Sequence, residues 1–108
     1  MANVDVWIEN GDVRVSPETV HVSSGKRESV VWRCEGGVAH ISFVKGKQAG
    51  GPFLSHHFET PAGGFVGSGP PVRGLPGDCF KYTVTVTLLN DKREYPPLDP
   101  QVIVDNGG

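Results

Sequence analysis

No histidine follows His57, the sole methionine is Met1, and the 108 residues hold only two cysteines, Cys34 and Cys79. Two thiols are too few for the disulfide framework that staples many small secreted domains. No apolar run approaches the roughly 18 residues of a membrane-crossing helix. The opening residues, Met1-Ala2-Asn3-Val4-Asp5-Val6-Trp7, show neither the basic nor the apolar stretch of a secretory signal, so a cytoplasmic protein is expected. Cationic clusters are equally scarce. Ten Lys and Arg are outnumbered by 12 Asp and Glu, the net charge is −2, and Lys45 with Lys47 is the nearest approach to a basic patch. A nucleic-acid binder neutralises phosphates with a basic stripe that is missing here. Neither a nucleic-acid nor a membrane partner is expected.

Turn formers, by contrast, are abundant. The chain has 15 Gly and 9 Pro, roughly twice their usual combined share. In a chain that is 37% hydrophobic and 20% charged, that excess means many turns rather than disorder, and it points to β structure.

Apolar residues recur at the spacing of strands. Val4-Asp5-Val6-Trp7-Ile8 is followed by Asn10-Gly11, a pair suited to a turn with positive φ. Val13-Arg14-Val15 runs to Pro17, which cannot donate to a central ladder. Val20-His21-Val22 alternates again. In Val30-Val31-Trp32-Arg33-Cys34, Val30, Trp32 and Cys34 share one face. In His40-Ile41-Ser42-Phe43-Val44, Ile41 and Phe43 point one way and His40, Ser42 and Val44 the other. Over residues 80–88 every even position is apolar and every odd one polar, the pattern of a strand with one buried and one wet face. Val102-Ile103-Val104 closes the chain. These segments predict about seven strands and no helix: an all-β, single-domain, two-sheet β-sandwich over residues 1–108.

Residues 45–78 interrupt this rhythm with Gly50-Gly51-Pro52, Gly63-Gly64 and Gly67-Ser68-Gly69-Pro70-Pro71. So long a connection is unusual in a small domain and is often functional. Phe53-Leu54 and His57-Phe58 are apolar anchors that can lay part of it on the core, as one short strand. Phe53, Phe58 and Phe65 either pin this loop or remain exposed as a contact patch for a protein partner. Trp7, Trp32, Phe43, Phe80 and Tyr82 are expected in the core. A regular strand from Cys79 places that thiol on the wet Lys81 face, whereas Cys34 shares the buried face of Trp32. A Cys34–Cys79 disulfide is therefore not expected.

The order of these signals resembles a cupredoxin domain. The resemblance runs through Val13-x-Val15-x-Pro17, Val20-x-Val22-x-x-Gly25, Val30-Val31-Trp32, His40-x-x-Phe43, Gly77-x-x-Phe80-x-Tyr82-x-Val84 and the ending Leu98-Asp99-Pro100-Gln101-Val102-Ile103-Val104. The last is similar to the end of small bacterial cupredoxin-like domains of unassigned role. The resemblance covers nearly the whole chain outside 45–78 and implies a Greek-key sandwich. Family members hold copper with two His, one Cys and often an axial Met. His40 matches the first of these; Val84 or a neighbour stands where the Cys belongs, and the second His and the Met are missing. A blue-copper centre needs a thiolate and two imidazoles in one plane, so no copper centre and no other cofactor is expected.

Other constellations are thinner. His40 could meet His56 or His57 if the long loop folds over its strand, giving a zinc or copper site. Adjacent His56 and His57 point to opposite sides if extended, so one at most can join His40. Ser55-His56 is a poor dyad for the same reason, and no third group can be placed near it or near Cys79. The run from Gly64 to Gly69 lacks the Lys and the helix of a phosphate loop. The expectation is a non-catalytic interaction or accessory module, with a metal carrier or sensor using His40 as the alternative. The terminal strands could leave an open edge for pairing with a second copy.

Overall fold

A computed structural model describes residues 2–23, 25–43, 51–72, 77–90 and 93–105. Lys45, Lys47 and Val44 lie outside them. The described residues form ten strands and no helix: β1 (Ala2–Glu9), β2 (Asp12–Ser16), β3 (Thr19–Ser23), β4 (Val30–Arg33), β5 (Gly37–Ser42), β6 (His57–Glu59), β7 (Phe65–Gly67), β8 (Cys79–Lys81), β9 (Thr83–Leu88) and β10 (Gln101–Asp105). The sequence predicts about seven. The difference lies mainly in the long loop, which contributes β6 and β7, and in the 80–88 segment, which is divided at Tyr82.

Three open sheets result, ordered β2-β1-β4-β7, β3-β10-β8 and β6-β5-β9. β1 and β2 form a hairpin in which Asn10 (φ 52°) and Gly11 (φ 80°) both take the left-handed region. Those angles match a type I′ turn, whose twist suits the flanking strands. β1 also runs parallel to β4, and β3 parallel to β10. Between the second and third sheets, Tyr82 donates its N–H to Pro100 O (3.0 Å), and Val84 and Leu98 exchange backbone bonds of 2.9 and 3.1 Å.

Alternation decides what is buried. Val4 and Val6 of β1, Val13 and Val15 of β2, Val20 and Val22 of β3, and Val84 and Val86 of β9 face inward, with polar neighbours outside. The inward faces of all three sheets join in one core around Trp32. Burying each large side chain contributes on the order of 2–3 kcal/mol. Trp7 departs from expectation. Its odd position on β1 turns it outward, where it is 39% exposed beside its cross-strand partner Arg14.

Candidate functional site

The 45–78 segment is held to the sheets at several points. Phe53 is fully buried, with its ring 6.4 Å from Trp32 and 5.7 Å from Phe43. Phe58 points inward from β6 to within 5.3 Å of the Trp32 ring. Edge-to-face and tilted contacts of this kind add about 0.5–1.5 kcal/mol each beyond the area buried. Tyr82 completes the cluster and accepts the indole N–H of Trp32 at 3.3 Å. Burial pushes its hydroxyl pKa up to about 12.

Two buried hydroxyls finish the ladders of β6 and β7. Thr60 accepts the Ala39 N–H through Oγ1 (2.9 Å) while its own N–H donates to Ala39 O (3.0 Å). Ser68 does the same for Val30, accepting its N–H at 2.8 Å and donating to its carbonyl at 2.8 Å. Neither residue stands out in the sequence. Their polar character inside an anchored loop is the signal that identifies them afterwards: a buried hydroxyl must find a partner.

Phe65 differs from the other two loop phenylalanines. It leads β7, pairs with Arg33 on the outer face of the first sheet, and is 60% exposed. Of the three rings, it alone is available to a partner; Phe53 and Phe58 are committed to the core.

His40 occupies the outer face of β5. Glu59 sits directly across on β6, and His40 Nδ1 lies 2.8 Å from Glu59 Oε1. On the other side, Thr85 of β9 is its cross-strand partner. A cavity of about 650 Å³ opens there, lined by His40, Thr85, Thr87, Arg93 and Tyr95 among others. His57 pairs with Ser42 and so shares the face of His40, one step along the strand. His56 is the residue that does not join them; its carbonyl accepts the Phe43 N–H at 2.8 Å. Among the described residues, no group of three His, Cys, Asp or Glu side chains is arranged to hold a metal ion.

Neither a protein-family model, nor a curated protein, nor a solved structure matches the chain.

The thiols stand apart. Cys34 is buried and Cys79 exposed, and both are free. Desolvation raises the Cys34 pKa, which suppresses the reactive thiolate. Cys79 Sγ donates to Gln101 Oε1 at 2.9 Å on the outer face. The Gly64–Gly69 run contains strand β7.

Proposed function

We propose that this chain is a non-catalytic interaction or accessory module of the cytoplasm, built on a two-sheet, Greek-key, cupredoxin-like sandwich without the copper ligand set. The bonds from Tyr82 and Val84 to 98–100 support counting the second and third sheets as one layer, opposed to β2-β1-β4-β7. The observation that carries the functional reading is the exposure of Phe65. Phe65 is 60% exposed on a segment whose other two rings are buried, which leaves an aromatic face open to a partner. Interfaces are enriched in aromatic and Arg side chains, and Arg33 lies beside Phe65 in register.

Affinity capture with the wild type and with Phe65→Ser tests this. The expected result is a protein partner retained by the first and lost by the second, with both chains folded. An unchanged set of captured proteins would sink the reading.

A metal carrier or sensor is the second reading, favoured by one observation: Glu59 orients His40 through Nδ1, as carboxylates orient ligating imidazoles, and His57 shares that face. Equilibrium dialysis against zinc and copper after chelation tests it. Retention lost in His40→Ala supports the reading, and no retained metal ends it.

A further inference from the structure

Strands β6 and β7 follow one another in the chain and form the free edges of two different sheets. Backbone accounting shows which of their groups are unpaired. On β7, Gly64 O accepts from Cys34 and Ser68 N donates to Val30. With Val66 opposite Trp32, Gly64, Val66 and Ser68 turn their backbone groups toward β4, and Phe65 and Gly67 turn theirs away. On β6, His56 O accepts from Phe43 and Thr60 N donates to Ala39. By the same alternation, His57 and Glu59 face away from β5. Among the described residues none of these four has an outward backbone partner.

The two edges share one neighbour. Trp32 is the cross-strand partner of Val66, and its ring packs 5.3 Å from Phe58. The central residue of β7 and the central residue of β6 therefore flank the same indole.

We propose that this side of the molecule is a two-fold interface with a second copy of the chain, β7 pairing antiparallel with β7 about Val66 and β6 with β6 about Phe58. It rests on the reading of Phe65 as a contact residue and names the partner. Both triplets are self-complementary in that register. In Phe65-Val66-Gly67 each Phe65 falls opposite Gly67 of the second copy. No side chain stands there to oppose it, and a Cβ built on Gly67 meets only Val31 Cγ2 at 4.0 Å. The ring thus covers the glycine and reaches toward Val31. In His57-Phe58-Glu59 each His57 falls opposite Glu59 of the second copy, a favourable cross-strand pair. Glu59 spends Oε1 on His40, leaving Oε2 for that imidazole N–H. Each outward residue exchanges its N–H and C=O with the facing copy, as a hydrogen-bonded antiparallel pair does.

Two other edges, β3 and β2, are guarded. Ser23 at the end of β3 gives its N–H to Glu28 Oε1 (2.8 Å), and its carbonyl takes the Glu28 N–H (3.0 Å). Pairing two copies about the centre of β2 would set Arg14 against Arg14, a like-charge contact. The β7 triplet carries no charge and no proline. Two short strand pairs make a small interface, below about 1,200 Å² in total, so a dimer in the micromolar range is expected.

Sedimentation equilibrium over a concentration series tests this. The wild type is expected to rise from 11.6 kDa toward twice that mass. Gly67→Pro removes an outward N–H and blocks the edge without touching the β4 ladder, and is expected to weaken association at least about tenfold. His57→Glu sets a new carboxylate against Glu59 of the second copy and weakens association too, while the swap His57→Glu/Glu59→His restores it. A wild type monomeric up to roughly millimolar protein, or a folded Gly67→Pro variant that dimerises as before, overturns the proposal. So does a swap no tighter than His57→Glu alone. A monomer that still loses a captured partner on Phe65→Ser would sink the two-fold pairing and leave the contact role of Phe65 standing.

Discussion

Replacing Thr60 with valine separates a structural hydroxyl from a merely polar loop residue. The side chain is 1% exposed and its Oγ1 is the acceptor for the Ala39 N–H at 2.9 Å, at a point where β6 has ended. Valine has nearly the same shape, so no cavity opens, but the Ala39 N–H loses its partner where water cannot replace it. An orphaned buried donor costs about 1–3 kcal/mol. For a domain of this length that corresponds to a fall in Tm of roughly 4–12 °C. Urea unfolding followed by Trp32 fluorescence measures it, because the indole is fully buried. Thr60→Ser keeps the hydroxyl and is expected within about 1 kcal/mol of wild type. If valine cost less than about 0.5 kcal/mol, or if serine cost as much as valine, the assignment of the bond would be wrong.

Burial, close backbone approach and charge each give one further expected outcome. A thiol reagent should titrate one cysteine in the folded protein and a second only in denaturant, because Cys79 is exposed and Cys34 buried; two fast-reacting thiols would contradict that burial. Gly37→Ala should abolish folding or cost more than about 3 kcal/mol, since its Cβ would overlap the Thr87 carbonyl oxygen of β9, and circular dichroism would report it. The bond from the Ser23 N–H holds the Glu28 carboxyl below its ordinary pKa of 4.5. A depressed carboxylate stabilises the fold above its unfolded pKa and loses that contribution as pH falls through the folded value. Glu28→Gln should therefore flatten the decline of Tm below about pH 4.5, and an identical decline in both proteins would refute the linkage.

The polar threonines and apolar valines of 83–87 were legible because a strand's side chains alternate, a property local to the chain. The Asn10-Gly11 turn was legible for a similar reason: few residues accept positive φ. The same locality explains why Cys34 and Cys79 could be assigned to opposite environments. It also explains why Trp7, apolar by type, faces out: it sits at an odd position on β1. For the candidate site, His40 and the three loop phenylalanines were visible by residue type. Which ring would stay outside was not, because that depends on the register of β7 against β4.

Sequence by itself determined an all-β chain with alternating inner and outer faces and a long Gly- and Pro-rich segment. Those follow from side-chain period, turn chemistry and residue inventory. Tertiary structure alone decided the parallel pairing of β1 with β4, the capping of two ladders by Thr60 and Ser68, the His40–Glu59 contact, and the placing of the outer strands β6 and β7 against one indole, Trp32. Each joins residues distant in the chain. Such pairings depend on which backbone groups find partners in space, and alternation along one strand does not specify them.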